Sequence, residues 1–317
     1  MSWETALDRQ IHDYLPDLKW AADEPMAKHT SFRIGGPAKR MAFPKTREQL
    51  VVLMGFLQDA GVKPLLIGNG TNLLVADKGL DTVVIDTSAE LSHIELTDEG
   101  EIAADAGVSL AKLALFAWKN GLTGLEFAHG IPGTLGGAVS MNAGAYGACM
   151  ADVLESVRVY KPARMLDDGT RGSGNIIEFD VDELNLGYRK SRIADDGFIV
   201  LSATFNLAPG NAAMIKADMD DYRQRREDKQ PLDMPSAGSI FKRPEGHFAG
   251  KLIMDAGLRG HAVGGAQVSE KHCGFIVNAD HATAADVNEL IRHIQATVKD
   301  QFNVDLEPEV HRVGEFL

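Results

Sequence analysis

The sequence predicts an α+β protein with more than one domain, and three observations lead to that prediction. Short runs rich in aliphatic and β-branched residues recur at 64–67, 73–75 and 82–85, with Gly or Pro in the segments around them. Segments with apolar residues at helical spacing lie between such runs. The length of 317 residues exceeds one ordinary domain, and 44% hydrophobic with 24% charged residues is typical of a chain that buries a large core.

In the first third of the chain, helices and strands alternate. A short N-terminal helix is predicted from the helical spacing of Ala6, Ile11, Tyr14, Leu15 and Leu18. A compact β-α-β unit over about residues 20–86 follows, with its helix at 46–60.

The rest of the chain repeats this mixture of strands and helices. Residues 87–209 are predicted to hold strands near 94, 102, 157, 177 and 200, a helix at 109–120, an irregular Gly-rich loop at 129–147 and a polar surface loop at 166–175. Pro209-Gly210 marks a boundary. Beyond it we expect a charged helix at 211–227, strands near 241, 268 and 275, a helix at 284–301 and a final strand near 306–313.

Charge and cysteine content narrow the class of protein. The 32 basic and 45 acidic residues give a net charge of −13, which argues against a general binder of nucleic acid or of membrane surfaces. An anionic substrate would therefore need a local basic pocket. We expect a cytoplasmic protein for three reasons. The two cysteines are far apart in the chain, the acidic N-terminus has no apolar signal segment, and the longest apolar run covers only residues 50–57. The ten histidines show no metal-ligand spacing, so no metal site is expected.

Two glycine-rich stretches are candidates for binding a cofactor. Residues 66–75 form a strand, a polar loop with Gly68 and Gly70, and a second strand; the backbone N–H groups of such a loop can cradle phosphates, although a plain β-turn explains it equally well. Residues 129–137 hold four glycines and a proline, which favours irregular backbone that another group approaches closely. Two such loops suggest one extended cofactor, while a pair of irregular surface loops is the alternative.

Three further residues have little weight when each is taken alone. Ser239 lies outside any GxSxG elbow, so a turn hydroxyl is its default interpretation. Its neighbourhood is nevertheless basic, which suggests a pocket for an anion: Arg225, Arg226, Lys229, Lys242, Arg243 and Lys251. Arg189 and Glu309 could each be an ordinary surface charge.

These stretches occur together in one order, and the order is more specific than any single motif. The chain resembles the UDP-N-acetylenolpyruvoylglucosamine reductases, flavoenzymes that complete UDP-N-acetylmuramate for peptidoglycan. The resemblance covers about residues 28–314 and rests on KHTSFRIGGPA, GNGTNLLVADKG, GLEFAHGIPGTLGGAVSMNAGAYG, GYRKS, KQPLDMPSAGSIFKRP and LEPEV.

The resemblance implies a domain arrangement. It is the two-subdomain FAD-binding fold of the vanillyl-alcohol-oxidase type followed by a C-terminal α+β domain for the substrate. On this sequence the domains would be 1–86 with the N-terminal helix and first FAD subdomain, 87–209 with the second, and 210–317 for the UDP-sugar. The last strand, at about 304–314, would return to the FAD domain.

The resemblance also implies the site residues. The catalytic residues would be Arg189, Ser239 and Glu309, with the UDP-sugar bound by Tyr188, Lys229, Arg243 and His272. FAD, held without a covalent bond, would contact Ile67, Gly68, Asn69, Gly70, Thr71, Asn72, Leu73, Gly130, Pro132, Gly133, Gly136, Gly137 and Asn142. NADPH would be the co-substrate, and no nucleic acid, membrane or metal would take part. A monomer is compatible with the sequence, which does not define the oligomeric state.

The implied chemistry explains why residues of these types are present. Arg189 would stabilise negative charge that develops on the substrate, and Ser239 would deliver a proton to carbon. Glu309 beside that charge would have to be protonated or tightly hydrogen-bonded. His129 and His311 depart from the family pattern. Phe198 follows Arg189 by only nine positions, as in the shorter subgroup without a tyrosine-bearing insertion. A flavin-linked oxidase of the same fold, with His129 bonded to the flavin, and a non-catalytic nucleotide-binding module remain alternatives.

Overall fold

A computed structural model describes residues 2–163 and 172–316, and all structural statements below concern these residues. The polar loop expected at 166–175 therefore falls largely outside them. The helices of the described residues are α1 (Trp3–Tyr14), α2 (Arg47–Asp59), α3 (Leu110–Lys119), α4 (Leu135–Ser140), α5 (Arg192–Asp196), α6 (Ala212–Lys229), α7 (Ala249–Asp255) and α8 (Ala284–Phe302). Over the described part of the chain, none of them combines the length and apolar character that a membrane span requires.

The strands are short. In chain order they are β1 (Lys19–Pro25), β2 (Pro37–Phe43), β3 (Leu65–Ile67), β4 (Leu73–Val75), β5 (Leu80–Asp86), β6 (Ile94–Leu96), β7 (Ile102–Asp105), β8 (Leu122–Thr123), β9 (Gly144–Ala145), β10 (Ala148–Cys149), β11 (Leu154–Lys161), β12 (Asn175–Asp180), β13 (Ile199–Phe205), β14 (Ala208–Pro209), β15 (Ser236–Ser239), β16 (Ala262–Val263), β17 (Ala266–Val268), β18 (Phe275–Asn278) and β19 (His311–Val313).

The chain folds into two compact units. The first contains residues 1–21, 40–69 and 82–224, and the second contains 22–39, 70–81 and 225–317. This division differs from the sequence-based one, because the two predicted FAD subdomains form one unit. The C-terminal unit begins at 225 rather than 210 and also takes in two segments from the first hundred residues.

Two sheets lie wholly or mostly in the first unit, and each has its own core. One sheet has the order β1-β2-β5-β3, in which β3 is parallel to β5. Helix α2 covers its core with Leu50, Leu53 and Leu57, which recur at helical spacing and are fully buried. The second sheet, β12-β11-β13-β7-β6, is antiparallel, and its core includes Val157 and Phe205.

The second unit is built around helix α8 and the antiparallel sheet β15-β18-β17-β16. The helix begins at a capping box between Thr283 and Asp286, and the Asp77 carboxylate accepts hydrogen bonds from the next two backbone N–H groups at 2.8 and 3.0 Å. Strand β4 pairs in parallel with β19, placing Leu74 beside Arg312. Segment 70–81 therefore folds with the C-terminus because a long-range strand pair and a helix cap hold it there.

Most predicted elements are present within a few residues of their expected bounds, but the loop at 129–147 is not irregular throughout. It contains helix α4 and the β9-β10 hairpin, so the prediction that it lacks regular structure was wrong. Leu135 and Val139 lie one turn apart on the buried face of α4, and this burial outweighs the low helix propensity of Gly136 and Gly137. The sequence prediction also missed the short helices α5 and α7.

Candidate active site

The first predicted cofactor loop is held by protein contacts at its start. A Cβ on Gly68 would lie 2.0 Å from the Thr134 hydroxyl oxygen, so only glycine fits at this position. The Asn69 side chain donates a hydrogen bond to the Pro132 carbonyl at 3.0 Å. Backbone and hydroxyl groups of Thr87 both donate to the Ile67 carbonyl at 3.0 Å. Residues 67–69 therefore meet the second glycine-rich loop within the first unit.

The continuation of this loop belongs to the second unit. Gly70 has a φ of +58°, and a Cβ there would lie 2.0 Å from the His29 carbonyl oxygen. The Asn72 side chain donates to the Glu309 carbonyl at 3.1 Å, and the Asn72 carbonyl accepts from the His311 amide at 3.0 Å. Asn72 thus positions the backbone beside a predicted catalytic residue. Leu73 begins β4 and pairs with His311.

Backbone hydrogen bonds hold the second loop against other segments of the first unit. The Gly133 carbonyl accepts from the Leu110 amide at 3.0 Å, and the Gly136 amide donates to the Ala106 carbonyl at 2.8 Å. A Cβ on Gly136 would lie 3.1 Å from the Ala106 Cβ, so Gly136 allows this close packing. At Gly137, by contrast, the nearest atom to an added Cβ would be the Thr134 hydroxyl oxygen at 3.8 Å.

The residues of this loop fit a flavin cofactor in two respects. The space where a Cβ of residue 137 would lie is open to an incoming group, because the nearest described atom outside the helix backbone would be 3.8 Å away. Beside the loop, the Nδ1 atom of His129 is buried and has no hydrogen-bond partner among the described residues. Burial lowers the pKa of His129, and the charges of Lys216 and Arg223 lower it further against the opposing effect of Asp220. A neutral imidazole with an unused buried nitrogen can accept a hydrogen bond from, or donate one to, a polar ligand.

Arg189 lies in a strained turn. Reciprocal backbone hydrogen bonds join Gly187 and Lys190 at 3.0 and 3.2 Å, and Arg189 has a φ of +54°. Arginine in this left-handed region costs about 1–3 kcal/mol, so the surroundings must hold it there. Tyr188 precedes it with 62% of its surface exposed, and its ring centroid lies 5.1 Å from the Arg189 guanidinium carbon. Backbone strain of this kind is compatible with a functional position, and Arg189 stays a predicted catalytic residue.

Ser239 and Glu309 come together in the second unit. Strand β15 carries a register irregularity between Ser236 and Ser239, where its pairing with β18 shifts. Bulges of this kind redirect side chains near functional sites. The Glu309 amide donates to the Ile240 carbonyl at 2.7 Å, so the backbones of the two predicted catalytic segments touch. Ser239 is exposed and Glu309 is half-buried, which leaves the serine hydroxyl accessible to a substrate.

The predicted substrate residues differ in their exposure and in their contacts with the rest of the protein. The Arg243 guanidinium stacks 4.0 Å above the Phe248 ring, and its Nε donates to the His247 carbonyl at 3.3 Å. Lys229 ends helix α6 and is exposed. His272 is half-buried, and its Nδ1 accepts from the Gly274 amide at 3.1 Å. Burial lowers the pKa of His272, and a backbone hydrogen bond opposes this effect.

Two members of the predicted basic cluster are already paired with acidic residues. Lys242 contacts the Glu307 carboxylate at 2.5 Å, and Lys251 contacts that of Asp255 at 2.7 Å. These pairs reduce the local positive field that the sequence suggested. Lys229 and Arg243 remain predicted contacts of the anion.

Sequence reasoning missed Thr134 and Ser191, which are 2% and 0% exposed. Thr134 lies against Gly68. The Ser191 hydroxyl donates to the Ser140 carbonyl at 2.6 Å, next to the Arg189 turn. A single sequence contains no signal for such roles, because burial of a small polar residue depends on contacts between segments distant in the chain.

Comparison with known proteins identifies the class first. Residues 38–164 match the family model described as an FAD binding domain, which confirms the predicted α+β FAD-binding fold and FAD as the cofactor. Residues 230–313 match the model described as the UDP-N-acetylenolpyruvoylglucosamine reductase C-terminal domain. The protein is thus a two-part flavoprotein.

Full-length relatives identify the family. A UDP-N-acetylenolpyruvoylglucosamine reductase from Agathobacter rectalis is 50% identical over 97% of this chain and 98% of its own length. One from Caldanaerobacter subterraneus is 48% identical over 96% and 97%. The crystal structure of UDP-N-acetylenolpyruvylglucosamine reductase from Thermus caldophilus superposes with a TM-score of 0.75 at 34% identity, covering 93% of this chain and 98% of that one. The chain belongs to the UDP-N-acetylenolpyruvoylglucosamine reductase family, as the resemblance predicted.

Proposed function

We propose that this protein uses NADPH to reduce the enolpyruvyl group of UDP-N-acetylglucosamine enolpyruvate to UDP-N-acetylmuramate, a step of peptidoglycan synthesis. The observation that carries the proposal is the Ser239–Glu309 arrangement. An accessible hydroxyl lies on an irregular strand, and a backbone hydrogen bond of 2.7 Å joins that segment to the one bearing a carboxyl group. Family membership supports the same conclusion through the name that the relatives share.

The reaction adds a hydride and a proton across one carbon–carbon double bond. FAD, held by the two glycine-rich loops, would supply the transfer of hydride from NADPH to the terminal carbon of the enolpyruvyl group. Negative charge would then develop on the adjacent carbon and its carboxylate. The Arg189 guanidinium would stabilise this charge through its fork of N–H donors.

Protonation of that adjacent carbon completes the reduction. The Ser239 hydroxyl would give up its proton to the carbon and recover one from solvent afterwards, a contribution of roughly 10²- to 10⁴-fold in rate. The Glu309 side chain, in its protonated form, would donate a hydrogen bond beside the substrate carboxylate. Lys229 and Arg243 would bind the diphosphate of the UDP-sugar, with His272 and Tyr188 as further contacts.

Visible spectroscopy tests this proposal. Purified protein should be yellow, should be bleached by NADPH without air, and should regain its colour when the enolpyruvyl sugar is added. Mass spectrometry should then find a product two hydrogen masses heavier than the sugar substrate. Colour that returns only with oxygen, or flavin that stays in the pellet after acid precipitation, would instead support the oxidase alternative with His129 bonded to the flavin.

A cytoplasmic location is a further part of the proposal. Cys149 and Cys273 are both free thiols, which supports a reducing compartment. Modification of both thiols in unfolded protein prepared without reductant would agree with this location.

A further inference from the structure

The turn that carries Arg189 is held from outside by one amide side chain. The Asn142 Nδ2 group donates to the carbonyl of Gly187, the first residue of the turn, at 3.1 Å. The Asn142 Oδ1 atom accepts from the Ala151 amide at 3.0 Å. Asn142 is only 7% exposed, so both hydrogen bonds are shielded from water.

Asn142 is also suited to its position by its backbone. Its φ is +42°, in the left-handed region where asparagine is tolerated better than most residues. It follows by two residues helix α4, which contains the last glycines of the segment expected to meet the cofactor. The amide therefore links the end of that segment to the arginine turn.

A second hydrogen bond connects the same two segments. The buried Ser191 hydroxyl donates to the Ser140 carbonyl at 2.6 Å and accepts from the Ala194 amide at 3.1 Å, where it caps α5. The turn 187–190 is thus tied at both ends to the end of α4. A turn tied in this way can keep Arg189 in a conformation it would otherwise leave.

We propose that Asn142 is a positioning residue for Arg189, acting through the Gly187 carbonyl, rather than a ligand of the cofactor as the sequence predicted. This inference rests on the proposed function, in which Arg189 acts on the negative charge that develops on the sugar. Loss of the amide should free the turn while leaving the cofactor bound. A misplacement of about 1 Å at a reacting centre costs up to roughly 100-fold in rate.

The test is a double-mutant cycle measured on the two halves of the reaction. Asn142→Gly keeps access to the left-handed backbone and removes the amide. We expect FAD content and the rate of flavin bleaching by NADPH to stay within twofold of the unmodified protein, while reoxidation by the enolpyruvyl sugar slows about 10- to 100-fold. In an Arg189→Lys background, Asn142→Gly should slow reoxidation by less than about threefold further.

Two additional variants guard against trivial explanations. Asn142→Asp keeps the acceptor for Ala151 and removes the donor to Gly187, so it should show the same split between half-reactions if Asn142→Gly folds poorly. Asn303→Gly replaces another left-handed asparagine, with a φ of +56° at the end of α8, and should leave both half-reactions unchanged.

Thermal unfolding gives a readout that is independent of catalysis. Arg189→Gly relieves the strain at the turn, so Asn142→Gly should lower the melting temperature less in that background than in the unmodified protein. Additive effects in both cycles would overturn the proposal, as would FAD loss in Asn142→Gly, which would return Asn142 to the cofactor site. Failure of the proposed function would be recognised separately, since the unmodified protein would then not be reoxidised by the sugar.

Discussion

The contact between Gly68 and Thr134 allows a sharp test of why the first loop contains glycine. An added Cβ on residue 68 would lie 2.0 Å from the Thr134 hydroxyl oxygen and 2.9 and 3.0 Å from its Cγ2 and Cβ atoms. Favourable carbon contacts need about 3.5–4.0 Å. Gly68→Ala should therefore destabilise the first unit by about 1–3 kcal/mol, as overpacking does in other cores. At about 2–4 °C per kcal/mol, the melting temperature should fall by roughly 2–12 °C.

The partner variant determines whether this contact is the cause. Thr134→Ala removes the hydroxyl and Cγ2, and the hydroxyl makes no capping hydrogen bond at the start of α4. The double variant Gly68→Ala/Thr134→Ala should melt at a higher temperature than Gly68→Ala alone, even though Thr134→Ala by itself loses packing. Differential scanning calorimetry of the FAD-free protein measures all three.

A glycine of the neighbouring loop provides the matched control. Gly137 lies inside α4, and among the described residues outside that helix's backbone the atom nearest to an added Cβ would be the Thr134 hydroxyl oxygen at 3.8 Å. Because alanine favours a helix by about 0.5–1 kcal/mol over glycine, Gly137→Ala should leave the apoprotein as stable or slightly more stable. A predicted cofactor contact would appear separately, as reduced FAD content. Equal destabilisation by Gly68→Ala and Gly137→Ala, or no recovery in the double variant, would refute the reasoning.

Three other predictions address the second unit. Ser239→Ala should bind FAD and be bleached by NADPH at the normal rate, but stopped-flow absorbance should show that reoxidation by the sugar is slowed roughly 10²- to 10⁴-fold. The control Ser236→Ala should leave both rates unchanged, and equal slowing of both steps in Ser239→Ala would make the serine structural. Lys229→Ala should raise KM for the sugar far more than KM for NADPH, and this effect should weaken at high salt. Lys251→Ala should leave both KM values unchanged, because Asp255 already pairs with Lys251. The pKa of His272 lies below its ordinary 6.5, so the unfolded chain binds more protons than the folded one and stability falls as pH drops through 6.5. His272→Asn keeps an acceptor for the Gly274 amide and should make the melting temperature depend less on pH below 6.5. An unchanged dependence of melting temperature on pH would contradict this.

Local pattern was enough to locate most elements of the fold. The helices predicted at 46–60 and 284–301 are present as α2 and α8, because a helical pattern is read within a few turns. Helix α4 was missed because its sequence, with Gly136 and Gly137, argues locally against a helix. Tertiary packing on Leu135 and Val139 overrides that preference.

The candidate site shows the same limit. Motif order alone pointed to Arg189, Ser239 and Glu309, since each lies within a recognisable short stretch. The reasons for Gly68 and Asn142 were not visible, because they depend on Thr134 and Gly187, which lie 66 and 45 residues away. Sequence spacing does not encode which distant backbone approaches a glycine.

Composition and local pattern were enough to predict the α+β class, the acidic charge balance and the positions of most helices, and the order of the motifs pointed to the family. How these parts are divided and held depends instead on contacts between distant segments. The fold brings residues 70–81 into the C-terminal unit through the β4-β19 pair and the Asp77 helix cap, and it places Arg189 in a left-handed turn. The physical reason is that helix periodicity and turn chemistry act over a few residues, whereas strand pairing, buried hydrogen bonds and backbone strain depend on neighbours that only folding brings together.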